Sequence, residues 1–364
     1  MTANAVKNAH QIFGPDLAVA GIRGRTVRRP PESVTTNYVQ IPRAILERHK
    51  LVTMSVDVMF VNGVPFLVSA ARGLNLVTAE FTPSRTAKKL ADGITRMIDL
   101  YALGGFQVGT VLMDNEFEKL RNPVPILAIN TTAAKEHVPE VEERKIRLIK
   151  EQGRGILNTL LFKKMPWLML IELIYHVVLW LNAFPANSGV SETLSPRKIV
   201  YRHKLDFAKH CKSPFGTYCE VHDDQVPTNT MVTHSTPAIV LSPTGNLQGT
   251  CKFLSLATGK KVKRRAFTPY PMPDSVIKKV EAYGTSTALP GIFDFADRNG
   301  ILFKWNEVVD EFPEGIVDIE DVVLYPSLAA EHPGVVLGQD QPLPTGFDPS
   351  WITFLRYCNL LKIH

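Results

Sequence analysis

The sequence predicts an α/β fold: a mixed sheet flanked by helices, followed by a small β-rich unit and an irregular acidic tail. Three observations predict it. Between residues 50 and 160, β-rich runs alternate with amphipathic helical periods. Between residues 235 and 265, short β-rich runs are separated by Gly- and Pro-containing turns. Beyond residue 290 the chain is acidic, carries prolines and shows no sustained period.

Residues 1–45 form a basic N-terminal arm. Gly14, Gly21, Gly24 and Pro30 interrupt every period, and Arg23, Arg25, Arg28 and Arg29 cluster among them. Such a segment can lie along a phosphate backbone or stand as a solvated tail. The core spans residues 46–205. It opens with a β-rich run over residues 51–61, the turn Asn62-Gly63 and a second strand over residues 64–69. Asn-Gly between two such runs is a strong hairpin signal. A third strand follows over residues 74–80, then an amphipathic helix over residues 84–100 that Ser84 can cap.

Asp57 interrupts the first strand in an apolar setting. A buried carboxylate is costly unless it is paired, bound to a cation or satisfied by a neighbouring amide. Val111, Leu112 and Met113 read as a short buried strand, and Asp114-Asn115 stop it because both side chains compete with the ladder. A carboxylate there sits at the rim of the core, where open α/β sheets place their chemistry. A further strand covers residues 125–130, and Pro139 can open the next helix. On that helix Glu143, Arg147, Lys150 and Arg154 share one face, while Ile146, Ile149, Ile156, Leu157 and Leu160 line the face that packs on the sheet. Read blandly, the charged stripe is an exposed salt-bridged surface.

Residues 167–184 are the most apolar run, yet they contain Glu172, His176 and Asn182. Eighteen residues barely span a bilayer, so this is a buried core helix and no membrane partner is expected. Glu172 and His176 stand four apart and satisfy each other more readily than they hold a metal. Residues 186–235 are loop-rich, and the spacing of His203, His210, Cys211 and Cys219 is wrong for zinc. The small basic β-rich unit spans residues 206–285, with strands over residues 237–241 and 250–256 and a basic strand over residues 260–265. Lys260, Lys261, Lys263, Arg264 and Arg265 make that strand a phosphate-gripping edge, a nuclear import signal or a charge-protected edge. Residues 286–364 are an acidic linker or tail.

Composition agrees with a globular chain: 45% hydrophobic and 21% charged over 364 residues, enough for two domains or one large one. The 4 cysteines are scattered without a CxxC pair, which argues against a disulfide framework and for a reducing compartment. The first thirty residues hold no apolar h-region, so no secretory signal is expected. The net charge of +6 hides an asymmetry: residues 291–364 carry 12 acidic and 4 basic side chains, which leaves +14 on residues 1–290. A body that basic suits a chain that meets nucleic acid.

The order of these elements resembles the ribonuclease-H-like core of DDE-type integrases, and in detail the integrase of Ty1/copia-type retrotransposons. The resemblance rests on Asp57 in the strand before a hairpin, Asp114-Asn115 at a strand end, and Glu143-Arg144-Lys145 opening a basic helix. It continues through Asn182 to Pro185, Leu194-Ser195-Pro196, Pro214-Phe215-Gly216 and the basic β-rich stretch 252–273. It covers residues 41–283. It implies a retroelement polyprotein fragment, found in the nucleus or in a cytoplasmic retroelement particle. It implies a homo-oligomer whose partners are DNA element ends and target duplex.

By the same resemblance Asp57, Asp114 and Glu143 are catalytic and hold two magnesium ions, with manganese as substitute, for 3′-end processing and strand transfer. Arg147, Lys150 and Arg154, with Lys260, Lys261, Lys263, Arg264 and Arg265, would contact DNA. The chain departs from the family in three places: Glu116 follows Asp114-Asn115 where glycine is usual, 28 residues separate Asp114 from Glu143, and Glu140 and Glu142 crowd Glu143. Helical spacing selects Glu143, because neighbouring residues point about 100° apart; Glu140 and Glu142 stay as alternatives. A decayed or domesticated DNA-binding protein and a ribonuclease-H-like nuclease are the rival readings.

Overall fold

The structure is a computed structural model that describes residues 38–84, 86–114, 117, 129–131, 142–187, 189–222 and 233–286. Residues 1–37 of the basic arm, the acidic tail beyond residue 286, Glu116, Pro139 and Glu140 lie outside the described residues. The chain divides into two compact units, Met1–Glu314 and Gly315–His364, and every described residue belongs to the first.

After a short helix α1 (Arg43–Arg48), strand β1 (Leu51–Val61) runs antiparallel to β2 (Val64–Ala71). Asn62 and Gly63 join them with φ values of 52° and 77°. Those angles suit a type I′ turn, whose twist matches the flanking strands. β3 (Val77–Phe81) pairs antiparallel with β2. Helix α2 (Ala87–Leu103) then carries the chain back to β4 (Gln107–Met113), which runs parallel to β1. β5 (Ile129–Thr131) adds parallel to β4. The order is β3-β2-β1-β4-β5 with β2 alone reversed, so the sheet is mixed. This is the fold that the alternation of elements predicts.

Period-two alternation divides the residues of β1 between two layers. Val52, Met54 and Val56 join Val111 and Met113 of β4 and Leu90, Ile94, Met97 and Tyr101 of α2 in one core. Each such side chain, fully buried, contributes about 1.5–3 kcal/mol. The α2 helix starts later than its sequence suggests: Thr86, not Ser84, accepts the Lys89 N–H at 3.4 Å and caps it. The opposite face of the sheet carries Ser55 and Asp57 and receives α3 (Glu142–Leu157), which packs on β1 and β2 through Ile149 and Ile156.

Helix α4 (Trp167–Leu181) is buried nearly all round because it lies against both β3 and β7 (Ser235–Pro243). Its side chains also cover the outer edge of β3. Asn182, at its C-cap, accepts the Val77 N–H at 2.9 Å and donates to the Val77 carbonyl at 2.6 Å. Tyr175 Oη accepts the Phe81 N–H at 3.0 Å. These bonds take the place of a further strand. Among the described residues no helix is long and apolar enough to cross a membrane.

The described residues of the stretch 186–235 hold more regular structure than its loop-rich composition suggests. Ser195 caps α5 (Pro196–Tyr201) by accepting the Lys198 N–H at 3.2 Å, with Pro196 in the first turn. A four-residue α6 (Phe207–His210) and strand β6 (Tyr218–His222) come next. A second sheet then forms from β10 (Phe267–Pro269), β6, β7, β8 (Cys251–Ser255) and β9 (Lys261–Arg264), in that order and antiparallel throughout. Its two edge strands, β9 and β10, are consecutive in sequence. Two linking residues reach only about 10 Å, so the sheet is rolled until its edges approach. Cys219, Val221, Ala238, Val240, Cys251 and Phe253 fill one side of it, with Val262 and Phe267 against them. Helix α7 (Asp274–Ser286), which the sequence pattern does not announce, ends the described chain.

Candidate active site

The last paired residues of β1 and β4 are Val56 and Met113. Asp57, the next residue of β1, and Asp114, the residue just past the end of β4, follow that pair directly. Neighbouring strands lie about 5 Å apart, and residues side by side in a parallel pair fall on one face. Asp57 is half-buried and Asp114 exposed. A turn anchors Asp114 at the rim: its carbonyl accepts the Phe117 N–H at 3.0 Å, and Phe117 is buried in the α2-side core.

The Asp57 carboxylate is held from its own strand and lies in the field of the helix across the layer. Its Oδ1 accepts the N–H of Val58 at 2.7 Å, the local satisfaction that a lone strand Asp invites. From across the layer, α3 brings the Lys150 ammonium into its field. Burial pushes the Lys150 amine down from its ordinary value, Asp57 pulls it back up, and Arg154 adds a smaller downward push. Lys145 is lowered too, by burial and then by Arg144. Glu142 and Glu143 are the first two residues of α3; their side chains, like all of Glu140, lie outside the described residues. Among the described residues no three His, Cys, Asp or Glu groups converge to hold a metal ion.

The two aspartates still fit a hard divalent cation. Carboxylate oxygens are the ligands magnesium prefers, and Asp57 and Asp114 each bring one carboxylate to this end of the sheet. Position 143, seven residues before Lys150, falls on the same side of α3 two turns nearer its N-terminus.

The basic residues named from sequence go to different places. Arg147 is exposed and pairs with Glu151 at 2.8 Å, one turn on. Arg154 and Lys260 are exposed, as is Lys263, while Arg264 and Arg265 are half-buried. Lys261 is turned inward. Its ammonium lies 3.2 Å from Oε1 of the fully buried Glu172, which takes it out of the exposed set.

Glu172 corrects another sequence expectation, since it does not pair with His176. Its Oε2 accepts from Lys252 at 3.1 Å and from Ser242 Oγ at 3.2 Å, so a residue of α4 is tied to β7, β8 and β9. Sequence reasoning missed Lys252, a lysine inside an apolar strand, which was the available signal. His176 accepts the Trp180 indole N–H on Nε2 at 3.1 Å, and burial holds its ring far below the ordinary imidazole value, at about 3. His210 accepts the Asp206 N–H on Nδ1 and reaches the Asn246 carbonyl through Nε2 at 2.7 Å. His203 stacks on Tyr38 with ring centroids 5.2 Å apart. Burial raises the thiols of Cys219 and Cys251 inside the rolled sheet, so both sit as small apolar groups.

No protein-family model and no curated protein matches the chain. Among solved structures, it is similar to the catalytic core domain of BIV integrase, with 19% identity and a TM-score of 0.30, over 42% of this chain and 94% of that one. A likeness at that level adds no weight to the pairing of Asp57 with Asp114.

Proposed function

We propose that the chain is an integrase of the Ty1/copia retrotransposon type, which binds DNA and carries out metal-dependent 3′-end processing and strand transfer. The observation that supports this reading is the β1–β4 register, which ends at Val56–Met113, one residue before Asp57 and Asp114, in a mixed sheet. Helix α3 packs on β1 and β2 and leaves Arg147 and Arg154 exposed, and the sequence order matches the family resemblance.

In this reading Asp57 and Asp114 would offer their carboxylate oxygens from the ends of neighbouring strands, and Glu143 would be the third acid. Magnesium bound between them would supply Lewis-acid stabilisation of the attacking and leaving oxygens of an in-line phosphoryl transfer. The attacking oxygen is that of water in end processing and of the new 3′-hydroxyl in strand transfer. Arg147 and Arg154, with Lys260, Lys263, Arg264 and Arg265, hold the DNA backbone and position it without reading bases. A homo-oligomer acting on element ends and target duplex, in the nucleus or a cytoplasmic retroelement particle, belongs to the same proposal.

A second reading has its own observation. Asp57 is already bonded to Val58 N–H and faced by Lys150, which suits a decayed or domesticated DNA-binding protein that keeps the fold. The assay that separates them joins a blunt oligonucleotide duplex to a supercoiled plasmid in magnesium or manganese, with cleavage scored separately. Joining by the unaltered chain, lost in Asp114→Asn while DNA binding persists, supports the integrase. Cleavage without joining supports a nuclease, and binding without either reaction supports the decayed protein.

A further inference from the structure

Two stretches far apart in sequence meet beside the C-terminal end of α2. The Val39 N–H donates to the Arg202 carbonyl at 2.8 Å, and the Tyr38 ring stacks on His203 with centroids 5.2 Å and planes 28° apart. Arg202 ends α5 in the left-handed region, at a φ of 59°, where a glycine is usual. Its guanidinium donates to the Gly104 carbonyl at 2.9 Å, which fixes the turn that delivers His203 to Tyr38.

This turn presents aromatic rings and cations to solvent. Tyr38 is 47% and Phe207 42% exposed, and they are the two exposed aromatic side chains among the described residues. Phe207 stands four residues past His203, a reach of about 14 Å at most. Lys204 between them is exposed, and residues 197–212 hold 6 lysines and arginines against one acid, Asp206. That acid caps α6 by accepting the Lys209 N–H at 3.1 Å. Exposed aromatics scattered singly need no explanation. Rings interleaved with cations on one short stretch suit a single nucleic-acid strand, whose bases stack on the rings while its phosphates follow the charges. A duplex hides its base faces and can use the cations only. We propose that Tyr38, Lys204 and Phe207 form a binding surface for single-stranded nucleic acid. It uses neither the aspartate pair nor any cation assigned above to the DNA backbone, so it goes beyond the proposed function and can fail separately from it.

The test is fluorescence anisotropy on the full-length chain with labelled oligothymidylate and a labelled duplex, with thermal melts of each variant to check folding. Phe207→Ala and Tyr38→Ala should each weaken single-strand binding on the order of tenfold and leave duplex binding unchanged. Phe207→Leu keeps the apolar bulk without the π-face and should bind as weakly as Phe207→Ala, whereas Phe207→Trp should bind as the unaltered chain does. Lys204→Gln should flatten the slope of log single-strand affinity against log salt by about 0.7. Single-strand binding that survives both alanine substitutions unchanged overturns the proposal, as does a parallel loss for strand and duplex. If the alanine variants melt low, Lys204→Gln decides, and an unchanged slope overturns it. Poly-glutamate that displaces the strand as well as unlabelled oligothymidylate does would assign the surface to an acidic protein segment, and also overturns it.

Discussion

Asp57 and Asp114 each follow directly on the Val56–Met113 pair that ends the parallel β1–β4 ladder, Asp57 inside β1 and Asp114 one residue past β4. Nothing local to either residue produces this. It comes from the crossover through α2, which returns the chain parallel to β1, and from a register shift between Val52 and Thr53 that sets the level of β4. The nearness of the two aspartates is therefore a product of topology, and it stands or falls with the bonds that hold that topology.

Asn182 completes the edge of β3 through both polar groups of Val77. Asn182→Ala leaves a buried N–H and carbonyl without partners, at about 1–3 kcal/mol each if unsatisfied. Urea unfolding should show a loss of about 2–4 kcal/mol on that basis. Asn182→Asp keeps the acceptor only and should fall between the two. Equal stability of all three chains would mean that α4 does not guard that edge.

Glu172 holds two lysines in a buried cluster between α4 and the rolled sheet. Glu172→Gln leaves both ammonium groups without a counter-charge and should cost about 3–5 kcal/mol in denaturant unfolding. The double variant Glu172→Met, Lys252→Met should recover much of that loss, because buried ion pairs are often replaceable by apolar packing. A double variant as unstable as the single one would show that the charges themselves specify the docking.

His176 makes stability depend on pH in a definite direction. Its folded-state value, held down to about 3 by burial, lies below the ordinary 6.5, so the fold keeps the ring neutral. Its Nδ1 has no acceptor among the described residues. The stability so gained is present above about 6.5 and lost as pH falls toward 3, at up to about 1.4 kcal/mol per pH unit. Denaturant midpoints taken from pH 7 to pH 4 should fall less steeply in His176→Gln, which keeps an acceptor for Trp180. Parallel curves for the two chains would place the acid sensitivity elsewhere.

DNA binding should weaken steeply with salt. Neutralising Arg147, Lys260, Lys263 and Arg265 should flatten the slope of log affinity against log salt by about 0.9 for each duplex phosphate that is no longer gripped. Lys261→Gln should act differently: its ammonium serves Glu172, so it should lower stability more than it changes the salt slope. A slope change from Lys261→Gln alone, without loss of stability, would return that lysine to the DNA surface.

Much of this architecture is legible in the sequence because strong local signals coincide with global ones. Asn62-Gly63 between two β-rich runs specifies the hairpin, and the three-four spacing of Leu90, Ala91, Ile94 and Met97 specifies α2. The aspartates are visible as candidates since each is a polar interruption of an apolar run, but their adjacency depends on the crossover, which no local pattern encodes. Lys261 reads as one more cation in a basic strand, and only the docking of α4 shows that it faces Glu172. Strand β10 escapes sequence reading because it is three residues long and ends in Pro269 at a sheet edge. Helix α7 escapes it because the buried anchors amount to Val276 and Val280, too few to set a period.

The most direct test of the two-aspartate site is a crystal structure grown with manganese and read by anomalous scattering. Manganese density is expected between the carboxylates of Asp57 and Asp114, with Glu143 as the third acid. Density elsewhere in the molecule, or none beside Asp57 and Asp114, would contradict the site.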